Sequence, residues 1–313
     1  MLGQVETFRL LNPGSTDLSL ESMTFPRFKR FLFPRLGEGV VAVKALRSGG
    51  VPEMDRPLGL GLGILHHATG NCNGELLSLY VVPSFRGQGI GTRLLASLEE
   101  SMKARGCLSM ETVYMTSIPS LAAFEALLQT RGWSQPVRRM RIFRTNTWRL
   151  REASWMPMFQ SLPIGFKIVR WDSVGEFLRE DLKQSLREPS CRIPKDVNPF
   201  FYEGLGIDGC PPEPEFSFGC LHQGRIVGWH LTHRPAQGQL RFSCSYVRLE
   251  VQDQIPLLAL WNHTFRRLMD EKPTEVSWAV AGHHEGMEKF THRLLGPFLT
   301  SNVETRGARK PLL

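Results

Sequence analysis

Residues 76–106 read LLSLYVVPSFRGQGIGTRLLASLEESMKARG, and this stretch constrains the fold more than any other. An apolar run ends at Pro83. Arg86, Gly87, Gly89 and Gly91 follow, and then Ile90, Leu94, Leu95, Leu98 and Met102 recur at helical spacing until Gly106. A strand must therefore pass into a helix through a glycine-rich turn. The first turn of a helix leaves backbone N–H groups unpaired at the positive end of its dipole, so it receives anions. Glycine lets the backbone take φ > 0 and approach a phosphate closely, and arginine adds a charged donor. The stretch suits a diphosphate held on a helix spanning 90–105. The spacing is neither G-x-G-x-x-G in a βαβ unit nor G-x-x-x-x-G-K-[ST], which disfavours a dinucleotide fold and a nucleotide P-loop.

The neighbouring segments extend the pattern. GVVAVKALRSG (39–49) and PLGLGLGILHH (57–67) read as strands, with a turn at NCNG (71–74) before strand 75–82, and His66-His67 at the hairpin. CLSMETVYMT (107–116) reads as a strand and PSLAAFEALLQTRG (119–132) as a helix. WSQPVRRMRIFRTNTW (133–148) opens an extended segment.

The run Val81-Val82-Pro83-Ser84-Phe85-Arg86-Gly87-Gln88-Gly89-Ile90-Gly91 resembles motif A of the GNAT superfamily of N-acetyltransferases, [RQ]-x-x-G-x-[GA] after a strand ending V-x-P. The order of antiparallel strands, helix, strand, helix and strand is also similar over residues 39–145. The resemblance implies acetyl-CoA or a longer acyl-CoA as donor, its pyrophosphate on the amides of Gln88, Gly89, Ile90, Gly91 and Thr92, with Arg86 and Gly87 completing the loop. It implies a pantetheine arm in a splay between strands 75–82 and 107–116. The main chain at Leu79, Tyr80 and Val81 would hold the arm and polarise the thioester. Transfer to an amine would be direct, without a covalent enzyme intermediate and without a metal.

The second half repeats this grammar. Shifted by 166 residues without gaps, SLYVVPSFRGQGIGTRLLASLEESMKARG lies on CSYVRLEVQDQIPLLALWNHTFRRLMDEK, with Tyr80-Val81 on Tyr246-Val247 and Leu94 on Leu260. EVSWAVAGHHEGMEKFTHRLLG then mirrors the strand and helix that follow. The fold class expected is α/β (α+β), with two tandem GNAT-like domains, each a mixed, mainly antiparallel sheet flanked by helices. The expected division is a first domain at 1–150, a linker at 151–163 and a degenerate copy at 164–313. The aligned loop, Gln252-Asp253-Gln254-Ile255-Pro256-Leu257, has lost its glycines. Asp253 repels phosphate and Pro256 lacks a donor, so this copy is expected to buttress the first domain, wall its substrate cleft or recognise the acceptor.

An alkylamine of pKa ~10.4 is neutral in about 1 molecule in 2,500 at pH 7, so a base or water relay is expected. The family's helix tyrosine, an acid for the departing thiolate, falls on Leu128, or on Leu127 with a one-residue slip, and neither donates a proton. Tyr114 is the replacement candidate, and Glu75 and Glu111 are the base candidates. Each also reads plainly as a strand aromatic or a solvated carboxylate. His283, His284 and His292 could reach a shared cleft, and read more plainly as surface histidines. The six cysteines show no paired spacing and read as buried, reduced thiols rather than zinc ligands.

The net charge of +8 is uneven: residues 1–155 carry +7 and the rest +1. RRMRIFRTNTWRLR (138–151) concentrates it and reads as a solvated strand face, with an acidic partner or a polyanionic ligand as the sharper alternatives. No aromatic-interleaved module points to nucleic acid. No apolar run approaches the ~20 residues of a membrane span, and the first residues do not read as a signal peptide, so a soluble cytoplasmic protein is expected. The function expected is acyl transfer to an amine on a small molecule or peptide. GLGLGILHH and the leucines in place of tyrosine would leave an apolar tunnel for a chain longer than acetyl. Acyl carrier protein as donor is an alternative that would suit the basic first half. A non-catalytic coenzyme A sensor or scaffold is the other.

Overall fold

A computed structural model of the chain describes residues 6–12, 14, 17–33, 36–37, 39–47, 57–68, 71–159, 161–205, 210–270 and 274–312. It divides into two compact units, Met1–Arg139 with Glu304–Leu313, and Met140–Val303.

In the first unit, β1 (Glu6–Leu10), β2 (Val40–Arg47), β3 (Pro57–Ala68) and β4 (Asn71–Val81) pair antiparallel in sequence order. Helix α1 (Ile90–Lys103) then crosses to β5 (Cys107–Met115), which pairs parallel to β4, and α2 (Leu121–Thr130) follows. The last strand of this unit comes from the end of the chain. In β12 (Leu299–Pro311), Thr305–Pro311 pairs antiparallel with β5.

Helix α1 forms because one stripe of it is apolar. Ile90, Leu94, Leu95, Leu98 and Met102 are all buried, each contributing roughly 1.5–3 kcal/mol. It sits very close to the sheet because β3 offers it glycines. A Cβ at Gly59 would lie 2.5 Å from the Tyr80 carbonyl and 2.8 Å from Leu94 Cδ1, and one at Gly63 would collide with Met102 Cε. The opposite face of β3 carries Leu60 and Leu62, packed with Leu20, Met23, Leu32 and Leu36 from the region of two 3-10 turns, Leu18–Met23 and Pro26–Phe31. The glycines of GLGLGILHH are thus filled by helix side chains and do not line a tunnel. Asn71–Gly74 belong to β4 and His66-His67 to β3, rather than to a turn, and residues 69–70 and residues 48–49 of the first expected strand lie outside the described residues.

The second unit repeats the order. It begins with Met140–Asn146 of β6 (Val137–Asn146) and α3 (Thr147–Leu150). Then come β7 (Phe166–Arg170), α4 (Glu176–Arg187), α5 (Pro199–Leu205), β8 (Phe218–His222), β9 (Arg225–His233), β10 (Gln239–Val247), α6 (Leu257–Met269), β11 (Glu275–Ala281) and α7 (Glu285–Leu295). β7 to β10 are antiparallel, β10–β11 is parallel, and β6 closes on β11 antiparallel. Trp229, Trp261, Phe143 and Phe265 are fully buried in it.

The observed division differs from the one expected at 150 and 164. Each unit is closed by a strand from the other half of the sequence: β6 pairs with β11, and the end of β12 with β5. Nor is 151–163 a free linker. Ala153, Trp155 and Met156 are core residues, the Trp155 indole donates to the Leu294 carbonyl at 3.1 Å, and Asn262 Nδ2 donates to Met156 and Phe159 carbonyls. Within the basic stretch, residues 138–140 are exposed, while Arg141 pairs with Glu288 at 3.0 Å and Arg144 with Glu275 at 3.8 Å. No helix among the described residues is long and apolar enough to cross a membrane.

Candidate donor and active site

The parallel register of β4 and β5 runs from Cys72↔Cys107 to Leu76↔Thr112 and stops there. β4 continues to Val81 against β3, and β5 to Met115 against β12. At the point of parting, β4 carries one extra residue: Leu62 faces Ser78, but Gly63 faces Leu76, so Leu77 bulges. A bulge increases local twist and bends its strand, which is how β4 leaves β5. The result is a wedge between Leu77–Val81 and Val113–Met115. Its closed end is pinned by the Thr112 hydroxyl donating to the Leu76 carbonyl at 3.1 Å.

The glycine-rich loop stands past the end of β4. Pro83–Phe85 make a 3-10 turn, Gly87 and Gly89 both sit at φ 78°, and Gly89 precedes α1 as its cap. No atom lies within 4 Å of where a Cβ would stand at either glycine, so their requirement is conformational rather than steric. Among the described residues the first α1 amide with an acceptor is that of Arg93, bonded to the Gly89 carbonyl at 3.1 Å. The backbone N–H groups of Gln88, Gly89, Ile90, Gly91 and Thr92 have none, while the loop itself is exposed. Five consecutive free donors at a helix amino end fit a diphosphate. Arg86 Nε is committed to the Val81 carbonyl at 3.0 Å, which fixes the loop to the strand. On the α1 side Leu79, Val81, Phe85, Tyr114, Phe124 and Leu127 are only partly buried and leave an apolar rim.

The proton-handling candidates fall in three places. Tyr114 stacks edge-on to Phe124 and donates to Glu125 Oε1 at 2.9 Å, and Arg306 Nη1 reaches the same oxygen at 3.1 Å. Burial, then the Glu125 carboxylate, push the Tyr114 phenol well above its ordinary range. A phenol so held gives up its proton poorly. Glu75 is the residue before the last paired position of β4. Its Oε2 accepts from His66 Nε2 at 2.9 Å, on the face away from α1. Glu111 is exposed and stands opposite Glu75 in register, with Arg309 as its partner in β12. At the two tyrosine positions, Leu128 is a core residue and Leu127 Cδ1 lies 3.3 Å from where a Cβ at Gly91 would stand. Sequence reasoning missed Glu99, a buried α1 carboxylate. It takes Arg131 Nη2 at 2.6 Å, the Trp133 indole at 2.8 Å and Lys310 Nζ at 2.7 Å, and so ties α1 and α2 to the last strand. Its position in the apolar stripe of α1 is the signal that could have found it.

The second unit keeps the wedge and loses the cradle. β10–β11 pairing stops at Phe242↔Trp278, and Ser243 is the extra residue opposite β9. Each lies 166 residues after its counterpart, Leu76, Thr112 and Leu77. Gln252 replaces Arg86 in its structural role, its Nε2 donating to the Val247 carbonyl at 2.7 Å. The loop amides are used internally: Gln252 to Leu249, and Gln254 and Ile255 both to Val251. Ser245, in the place of Leu79, takes the Trp261 indole at 3.0 Å and lies 2.7 Å from His230 Nδ1.

Residues 25–128 match the model of the Acetyltransferase (GNAT) family. No curated protein matches the sequence significantly. Among solved structures, the chain is similar to a tandem GNAT protein from the clavulanic acid biosynthesis pathway (14% identity, 99% of each chain, TM-score 0.65). It is similar to a GCN5-related N-acetyltransferase from Sphaerobacter thermophilus (17% identity, 91% of this chain and 84% of that one, TM-score 0.57). A glucosamine N-acetyltransferase region of a fungal multi-domain β-N-acetylglucosaminidase matches at 12% identity and TM-score 0.63, over 98% of this chain and 38% of that one. At these identities the structures speak for the fold alone. The family match makes residues 25–128 a GNAT domain, and the chain as a whole shares the fold of a tandem GNAT protein.

Proposed function

We propose that the chain is an acyl-CoA-dependent N-acyltransferase whose donor is held by the first unit. The observation that carries this reading is the run of five acceptor-free amides, Gln88 to Thr92, beside an open wedge. The pyrophosphate would rest on those amides, with the outer nitrogens of Arg86 within reach of it. The arm would lie along Leu79, Tyr80 and Val81, and the apolar rim would receive the acyl group, acetyl or longer. An acyl carrier protein presenting the same arm is a second form of donor, which free coenzyme A tests by competition.

The transfer makes one C–N bond and breaks one C–S bond. The amine attacks the thioester carbon, the tetrahedral oxygen is met by the main chain of β4, the thiolate leaves, and the amine's extra proton passes to a base. Glu75, with His66 behind it, is the group we assign to that proton, because it stands at the closed end of the wedge on the face opposite the donor. Glu111 is its neighbour in register and the next candidate. A phenol for the departing thiolate is not available in the usual place, and Tyr114 is occupied by Glu125. This favours a second reading, a coenzyme A-binding sensor or scaffold. Release of coenzyme A thiol from acyl-CoA in the presence of small amines and peptides separates them. Amine-dependent release, lost in Arg86→Ala with Gln88→Pro, supports the enzyme. Saturable binding without release supports the sensor.

A further inference from the structure

Three metal-ligating side chains of the second unit converge. Asp196 Oδ2 lies 2.7 Å from His284 Nε2 and 3.4 Å from His283 Nε2, and the three ligand atoms all fall within 4.8 Å of one another. We propose that Asp196, His283 and His284 bind a divalent first-row transition-metal ion, with zinc as the best fit.

Successive residues of an extended chain point to opposite sides, so neighbouring histidines rarely share a target. Here the chain turns directly after β11: the His284 amide donates to the Ala281 carbonyl at 2.9 Å, and the two rings come to 4.2 Å between centroids. Both Nε2 atoms therefore face one carboxylate. That carboxylate is held in place from behind. The Asp196 carbonyl accepts from the Tyr202 hydroxyl at 2.9 Å, and the carbonyl of the next residue, Val197, accepts from the buried Trp229 indole at 2.9 Å. Oriented ligands of this kind lower the ordering needed on binding.

Zinc takes imidazole nitrogen and carboxylate oxygen at about 2.0–2.2 Å, which sets neighbouring ligand atoms about 3.3 Å apart in a tetrahedron. The two spacings to Asp196 straddle that value. The two imidazoles and one carboxylate leave a fourth position for water, and they suit zinc, nickel or copper rather than magnesium or calcium. The side chains are 28–70% exposed, so a hydrated ion reaches them. The amino end of α7 adjoins the site and works against a cation, a small term beside coordination.

The test uses the full chain without a histidine tag, titrated with zinc chloride against a chromophoric chelator. The site predicts one equivalent bound, at least about tenfold more weakly in His283→Ala and in Asp196→Asn. His283 is the most exposed of the three, so its substitution leaves the fold intact, which an unchanged melting temperature without metal verifies. Cobalt substitution gives the second readout: visible absorption without a thiolate charge-transfer band. No saturable zinc binding at submillimolar metal, affinity unchanged in both variants, or a thiolate band, any one of these overturns the site.

Discussion

Glu75 and Tyr114 show how burial and partners separate residues that look alike in a sequence. Both are titratable strand residues, yet Tyr114 is spent on Glu125 while Glu75 meets the half-exposed His66. We predict that Glu75→Gln lowers kcat by about 10²- to 10⁴-fold, the usual range for a general base. Tyr114→Phe should change it by less than tenfold and lower stability by about 1 kcal/mol. Steady-state rates and urea unfolding of the two variants check this, and the reverse ranking would move the proton chemistry to Tyr114. The cysteines obey the same logic. Burial, with Cys72 Sγ at 2.9 Å, pushes the Cys107 thiol up to about 12, and burial does the same for Cys220 and Cys244. Native-state alkylation at pH 8 should therefore spare these three and modify Cys191 and Cys210, which are only partly buried, as peptide mass spectrometry would show. Spacing led to an expectation of six buried, reduced thiols, and Cys191 and Cys210 depart from it in being only partly buried. Composition and spacing did not foretell which carboxylate sits behind which phenol, since Glu125 is brought to Tyr114 by helix packing across the sheet.

At the scale of elements, the wedge is made by one inserted residue, and α1 is seated by missing side chains. The helix, its glycine turn and the strand on either side were legible because period and turn chemistry changed together between Val82 and Ile90. The glycines of β3 were legible as a pattern but misread in purpose, because what fills a glycine gap is decided by the element packed on it. Gly63→Ala should cost about 1–3 kcal/mol, since its Cβ collides with Met102 Cε and lies 2.8 Å from the Glu75 carbonyl. Gly61→Ala, whose nearest neighbour is at 3.6 Å, should cost less. Equal urea midpoints for the two would contradict this account of how α1 is seated.

For the whole molecule, the gap-free shift of 166 residues proved to be structural: strand parting and bulge recur at that spacing in both units. The exchange of closing strands was not legible, because β6 and β12 show no local feature that names a partner strand. Pairing there is settled by tertiary contacts such as Lys310 on Glu99. His230 gives the molecule a pH dependence. Burial, with His263 adding to it, holds its imidazole down to about 3 from an ordinary 6.5. Between those values the unfolded chain carries the proton and the folded one does not. Stability should thus fall as pH drops below about 6.5, by up to about 1.4 kcal/mol per unit. Urea midpoints at pH 7 and 5.5 should separate in the parent chain, and less so in His230→Asn.

The most direct test of the central claim, that the first unit holds an acyl-CoA on the amides of residues 88–92, is a thermal-shift titration. Coenzyme A and acyl-CoAs of increasing chain length would be compared on the parent chain, Arg86→Ala and Gln88→Pro, the last removing one cradle donor at an exposed residue. A ligand that binds only the folded state adds about 2.7 kcal/mol at 100 times its Kd, so the parent should melt several degrees higher. Both variants should lose most of that gain, and the chain length giving the largest shift identifies the acyl group. An unchanged melting temperature at millimolar coenzyme A, or an equal shift in all three proteins, would contradict the account.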